Sequence, residues 1–228
     1  MKNIPIKTTA SILAALGTAM ILSACQTLAS NDPIAIESQS RAALHAGEID
    51  RSLRLTELLI AQSGPTPPSL NQMALIQFRK AHPEKSRRIL LYAHSLYPHA
   101  IPITMNLAKI EVRHGEMKSA RKILLPLLSL KTWPEGFQLL MGRIDMETGH
   151  LPEASIFLHE ALRLHPDDPL VLANMGLLNE RLGEAKIARR NLLKARELAP
   201  KGSLRRHIVA LLHSIAPRQE KTLEKSAD

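Results

Sequence analysis

The chain has 228 residues, a formal net charge of +9 at pH 7, and 45% hydrophobic but only 3% aromatic side chains. A single cysteine excludes an internal disulfide framework, and so few aromatics exclude stacking platforms for single-stranded nucleic acid. The length fits one medium domain or a short repeat array, stabilised by burial of Leu, Ile, Ala and Met.

Lys2 and Lys7 give the chain a positive start. An apolar stretch over 10–22 follows, broken only by small residues, and leads to Leu22-Ser23-Ala24-Cys25. That is the layout of a secretory signal. The run is too short for a spanning helix, which needs roughly 20 apolar residues. The last four residues resemble the lipobox of bacterial lipoproteins. The resemblance implies that Cys25 is acylated and becomes the first mature residue, tethering the protein to a membrane without crossing it. An ordinary signal peptide cut after Ala24 would leave a lone thiol, a liability in an oxidising compartment. Removing 1–24 leaves 204 residues and lowers the charge from +9 to +7, because Lys2 and Lys7 leave with it. Residues 25–32 read as a lipidated linker. Gln26 in place of an Asp favours the outer membrane, seen from the periplasmic side, by analogy with enterobacterial sorting.

From residue 33 onward the chain repeats every 34 residues. The block 33–66 keeps little beyond Gly47, then an apolar second helix through Leu53, Leu55, Leu58, Leu59 and Ile60; it is a first repeat or a plain capping hairpin. Block 67–100 keeps Ala74, Leu90, Ala93 and Pro98. Block 101–134 keeps Leu107, Ala108, Gly115, Ala120 and Leu124, but Leu127 stands where a small residue belongs and its proline comes late, at Pro134. Blocks 135–168 and 169–202 align without a gap: Gly142 with Gly176, Gly149 with Gly183, Ala154 with Ala188, Ala161 with Ala195, Pro166 with Pro200. A mid-helix glycine costs about 1 kcal/mol relative to Ala, which makes sense for Gly142 and Gly176 if another helix approaches closely. The alanines serve the same contact from the second helix. Gly149 and Gly183 suit the turn, where φ is positive. Pro166 and Pro200 end the second helices, and Asp167 and Asp168 can cap the next one. Residues 203–216 form a further helix whose Leu204, Ile208, Leu211, Leu212 and Ile215 share a face, as an array's last repeat requires. The polar segment 217–228 reads as a disordered tail.

These blocks resemble the tetratricopeptide repeat, lacking only the aromatics usual at its fourth and eleventh positions. The resemblance implies an all-α, right-handed solenoid of about five helix-turn-helix repeats over 33–216, with ligands held on the concave face lined by first helices. In the family the fifth, ninth, twelfth and thirteenth positions point inward. Here they supply Arg79, Met105, Lys109, Arg113, Leu139, Arg143, Met146, Glu147, Leu177 and Arg181, a mixture suited to an amphipathic peptide or extended segment. The full carboxylate clamp of some members is absent, since Met105, Leu139 and Ala173 hold fifth positions.

No HExxH pair, Gly-rich phosphate loop or Gly-x-Ser-x-Gly elbow occurs, and the ten histidines show no metal spacing. The expectation is a binding protein without catalytic residues, metal or cofactor, and without nucleic acid as partner. Signal, lipobox and repeats together resemble the pilotin-type lipoproteins of pilus and secretion machines, TadD-type lipoproteins of the tight-adherence (Flp) pilus among them and, by architecture, those of the PilF/PilW kind. That implies a scaffold binding a secretin or neighbouring assembly component. The rival is an adaptor for peptidoglycan hydrolases or proteases, of the NlpI kind.

Overall fold

The computed structural model describes residues 32–215. Cys25, the signal-like segment 1–24 and the tail 217–228 lie outside them. The described residues form eleven α-helices and one short 3-10 helix, with no strand among them. They are α1 (Pro33–His45), α2 (Ile49–Ser63), α3 (Pro67–Arg79), α4 (Pro83–Leu96), α5 (Ile101–Arg113), α6 (Met117–Leu124), the 3-10 turn (Leu125–Ser129), α7 (Phe137–Glu147), α8 (Leu151–Leu164), α9 (Pro169–Arg181), α10 (Ala185–Leu198) and α11 (Ser203–Ile215). Second helices begin at residues 49, 83, 117, 151 and 185, each 34 residues after the last. The described residues form an all-α array of helical hairpins with the element order of a tetratricopeptide solenoid.

The same turn joins every hairpin. The amides of Glu48, His82, Glu116, His150 and Glu184 donate to the carbonyls of Ala43, Gln77, Glu111, Asp145 and Asn179 at 2.8–2.9 Å. This closure needs a left-handed residue, supplied by Gly47, Gly115, Gly149 and Gly183 at φ +80 to +84° and by Ala81 at φ +60°. No atom lies within 4 Å of a Cβ added at those glycines, so backbone conformation, not space, selects glycine there.

Residues up to Ile103 form one compact unit and residues from Thr104 onward a second, so the division falls inside α5. In the first unit, α1 packs on α2 through polar atoms. Ser40 Oγ lies 3.0 Å from Ser52 Oγ and 2.7 Å from Thr56 Oγ1, and Gln72 Nε2 of α3 donates to both serine hydroxyls at 3.1–3.3 Å. All four residues are buried. Ser40 and Thr56 occupy the positions of Gly142 and Leu158 three repeats later. That exchange is why 33–66 is hard to recognise as a repeat, although it makes the same hairpin.

In the second unit, a Cβ on Gly142 would lie 2.6 Å from Leu158 Cγ, and one on Gly176 would lie 2.6 Å from Leu192 Cγ and 3.2 Å from the Ala188 carbonyl oxygen. Ala154, Ala161, Ala188 and Ala195 are buried against these contacts. Helices α8 and α10 end two residues before Pro166 and Pro200. Asp168 accepts from the amides of Leu170 and Val171 as the cap of α9, whereas Asp167 pairs with Lys194 at 2.9 Å. Helix α11 seals the last hairpin, its Leu204, Ile208, Leu211, Leu212 and Ile215 packing with Leu172, Ala188, Leu192 and Ala195.

The third hairpin departs from the pattern. Pro126 ends α6 early and tightens the chain into the 3-10 turn, with Leu127 buried in place of a small residue. After it, Trp133 packs against Phe137 and Phe157 at centroid distances of 5.4 and 5.5 Å, and α7 starts only at Phe137.

Candidate functional site

The eleventh position of each first helix holds no aromatic. After Ala43 in the first repeat it carries Gln77, Glu111, Asp145 and Asn179, spaced by 34 residues. Asp145 is fully buried and accepts from Arg121 Nε of α6 at 2.7 Å. Asn179 accepts from Asn191 Nδ2 at 2.9 Å and donates to Glu184 at 2.6 Å. The polar series was visible in the sequence but carries no signal of its own until the helices are stacked. The side chains of Asp145 and Asn179 are consumed in joining helices.

Several residues expected to line a ligand face do the same. Met105 and Met146 are only 5% and 3% exposed. Leu139 and Leu177 are half-buried and pack against a cluster of Met146, Ala154, Leu158, Met175 and Leu178. They hold hairpin to hairpin, because burying apolar area there is worth more than leaving it to water. Arg181 Nη1 donates to the Met146 carbonyl at 2.6 Å and Nη2 to Glu147 at 2.9 Å. That carbonyl belongs to the last turn of α7, where carbonyls lack intrahelical partners and a cation complements the negative helix end. So Arg181 and Glu147 tie the end of α9 to the end of α7, and the apolar residues of the expected face are buried or half-buried against neighbouring hairpins.

Three other residues of the expected face in the second unit are exposed cations. Lys109 of α5 and Arg143 of α7 share the ninth position of consecutive repeats, stand in solvent, and have no ion pair or hydrogen bond among the described residues. Arg113 is exposed too and keeps a partner of its own. In the first unit, Arg79 is exposed at the end of α3. There, Glu37 and Arg41 pair at 3.4 Å on α1 and border a cavity of about 320 Å³ together with Pro67, Pro68 and Gln72.

Shifted titrations do not converge on any of these places. Asp50 is held below the usual carboxylate range by its hydrogen bond from Lys80 and that lysine's charge, and Glu160 likewise by Arg163. Burial lowers His94. Among the described residues no group of three His, Cys, Asp or Glu side chains could hold a metal, and no helix is long and apolar enough to cross a membrane.

The described residues have a helical-hairpin fold of the tetratricopeptide type. The chain is similar in fold to PilF of Pseudomonas aeruginosa, at a TM-score of 0.65 and 14% identity, over 85% of this chain and 90% of that one. YrrB, a tetratricopeptide protein with an unusual peptide-binding site, matches at 0.61 and 16% identity over 80% and 95% of the two chains. A chain of the APC/C hetero-tetramer Cut9–Hcn1 matches at 0.61 and 16% identity over 75% of this chain; the match spans 33% of that longer partner. No protein-family description and no characterised protein matches at the level of sequence.

Proposed function

We propose that the chain is a membrane-tethered, non-catalytic scaffold that binds a protein segment along the first-helix face of its second unit. The observation carrying this is the pair Lys109 and Arg143: two unpaired, solvent-exposed cations at equivalent positions of consecutive repeats. Charged groups so placed steer and select an anionic or amphipathic segment more than they add raw affinity. The lipobox-like Leu22–Cys25 supports a lipid tether on the periplasmic side of a bacterial membrane, and Gln26 supports the outer one. The resemblance to TadD-type and PilF/PilW-type lipoproteins, joined by the fold match to PilF, supports a pilus or secretion component, such as a secretin, as the partner.

The test is a mild-detergent pull-down of the tagged chain from its native host with mass spectrometry of the eluate. A secretin or other pilus component should be recovered, and Lys109→Glu/Arg143→Glu should weaken its capture at least about tenfold, roughly 1.4 kcal/mol. Recovery of murein hydrolases or proteases with no pilus component would replace this reading by the adaptor role.

A further inference from the structure

The net charge of the protein is concentrated in one place. Residues 185–206 carry eight Lys and Arg against one acid, Glu197, a net of +7. The other described residues carry 17 basic and 17 acidic side chains, so they are neutral as a set. The excess therefore belongs to α10 and the start of α11, two helices packed on one another.

On α10, Lys186, Arg189, Arg190, Leu193, Lys194 and Glu197 follow helical spacing and lie on one face. Lys194 is engaged by Asp167 and the Pro166 carbonyl. Lys186, Arg189 and Arg190 are exposed and have no partner among the described residues. Lys201 in the turn and Arg206 on α11 extend the exposed charge beyond α10. Along the edge of this face stand two uncovered aliphatics, Ile187 and Leu198, 38% and 43% exposed.

We infer that this face of α10 and α11 docks on an anionic phospholipid surface. Three features select that occupant. Unpaired cations are spread over two helices rather than gathered at a point, which suits a field of headgroups. The long side chains are mobile enough to follow such a field without fixed geometry. Exposed aliphatics at the rim can enter the headgroup boundary, as on interfacial helices. The binding does not depend on Cys25 or on the partner proposed above; it would set how the tethered protein lies against its membrane.

The experiment is vesicle co-sedimentation of the full chain carrying Cys25→Ser, so that acylation contributes nothing. Phosphatidylcholine vesicles are compared with vesicles in which about one third of the lipid is phosphatidylglycerol. Any attachment through the apolar segment 10–22 is the same in every variant and on both vesicles, so the quantity read is the gain from anionic lipid. Each cation near such a surface contributes roughly fivefold, so Lys186→Glu/Arg189→Glu/Arg190→Glu should reduce the gain about a hundredfold or abolish it. The charge-matched variant Lys118→Glu/Lys122→Glu/Lys131→Glu, altering three exposed lysines elsewhere in the second unit, should keep most of it. High salt should remove the gain in the parent, since screening acts on exposed charges first. The milder Lys186→Gln/Arg189→Gln/Arg190→Gln, with unchanged circular dichroism, guards against a folding defect. Equal gains for the two charge-reversed triples would overturn the inference, leaving only net charge. So would soluble polyglutamate binding where anionic vesicles give no gain, which would reassign the face to an acidic protein.

Discussion

Ala81 occupies the one hairpin turn where the left-handed residue is not glycine. A Cβ in that region costs roughly 1–2 kcal/mol, and part of the cost is returned because alanine restricts the unfolded chain. Ala81→Gly should therefore stabilise the first unit by about 0.5–1 kcal/mol, read as a higher urea midpoint with unchanged slope. An unchanged midpoint would mean the turn relaxes around alanine. His94 on α4 gives a second single-residue effect. Burial lowers its proton affinity below the ordinary value of 6.5, and its Nδ1 has no partner. Between the two values the unfolded chain binds more protons than the folded one, so stability rises with pH there. The contribution is complete above the unfolded value and is lost as pH falls through the folded one. The first unit should melt earlier in mild acid than at neutral pH, and His94→Gln should flatten that difference; a pH slope identical in the variant would assign it to other histidines.

At the scale of helices, Arg121 and Asp145 form the tie from α6 to α7, and Asp145 is fully buried while Arg121 is 27% exposed. Removing one partner leaves a buried charge uncompensated, a loss of about 3–5 kcal/mol in comparable pairs. Arg121→Leu should lower the urea midpoint of the second unit by that order, and Arg121→Leu/Asp145→Leu should regain most of it. If the double variant is no better than the single one, the guanidinium is acting through its packed stem rather than its charge. This tie also marks where sequence reading stops. The period, the turn glycines and the close approach at Gly142 and Gly176 are local constraints, and each leaves a residue type at a predictable offset. Whether Met146 or Leu139 meets a ligand or the next hairpin depends on how two repeats stack, and an apolar side chain looks the same in both cases. For the same reason Arg181 read as a ligand contact, although its partners are the Met146 carbonyl and Glu147. Of the expected face, Arg79, Lys109 and Arg143 stand exposed and without a partner among the described residues.

For the molecule as a whole, repeat arrays gain stability from each hairpin and from each neighbouring interface, so different parts can yield separately. Here the inner contacts change character along the chain: hydroxyls and an amide hold α1 to α2 and α3, while alanine, leucine and glycine hold α7 to α10. A single unfolding free energy therefore describes neither unit by itself. The rings are divided as sharply. The only indole, Trp133, lies in the second unit against Phe137 and Phe157, and both phenols, Tyr92 and Tyr97, lie in the first. The protein thus carries a different natural fluorophore in each half, and the colour of its emission can tell which half has opened without any label being attached.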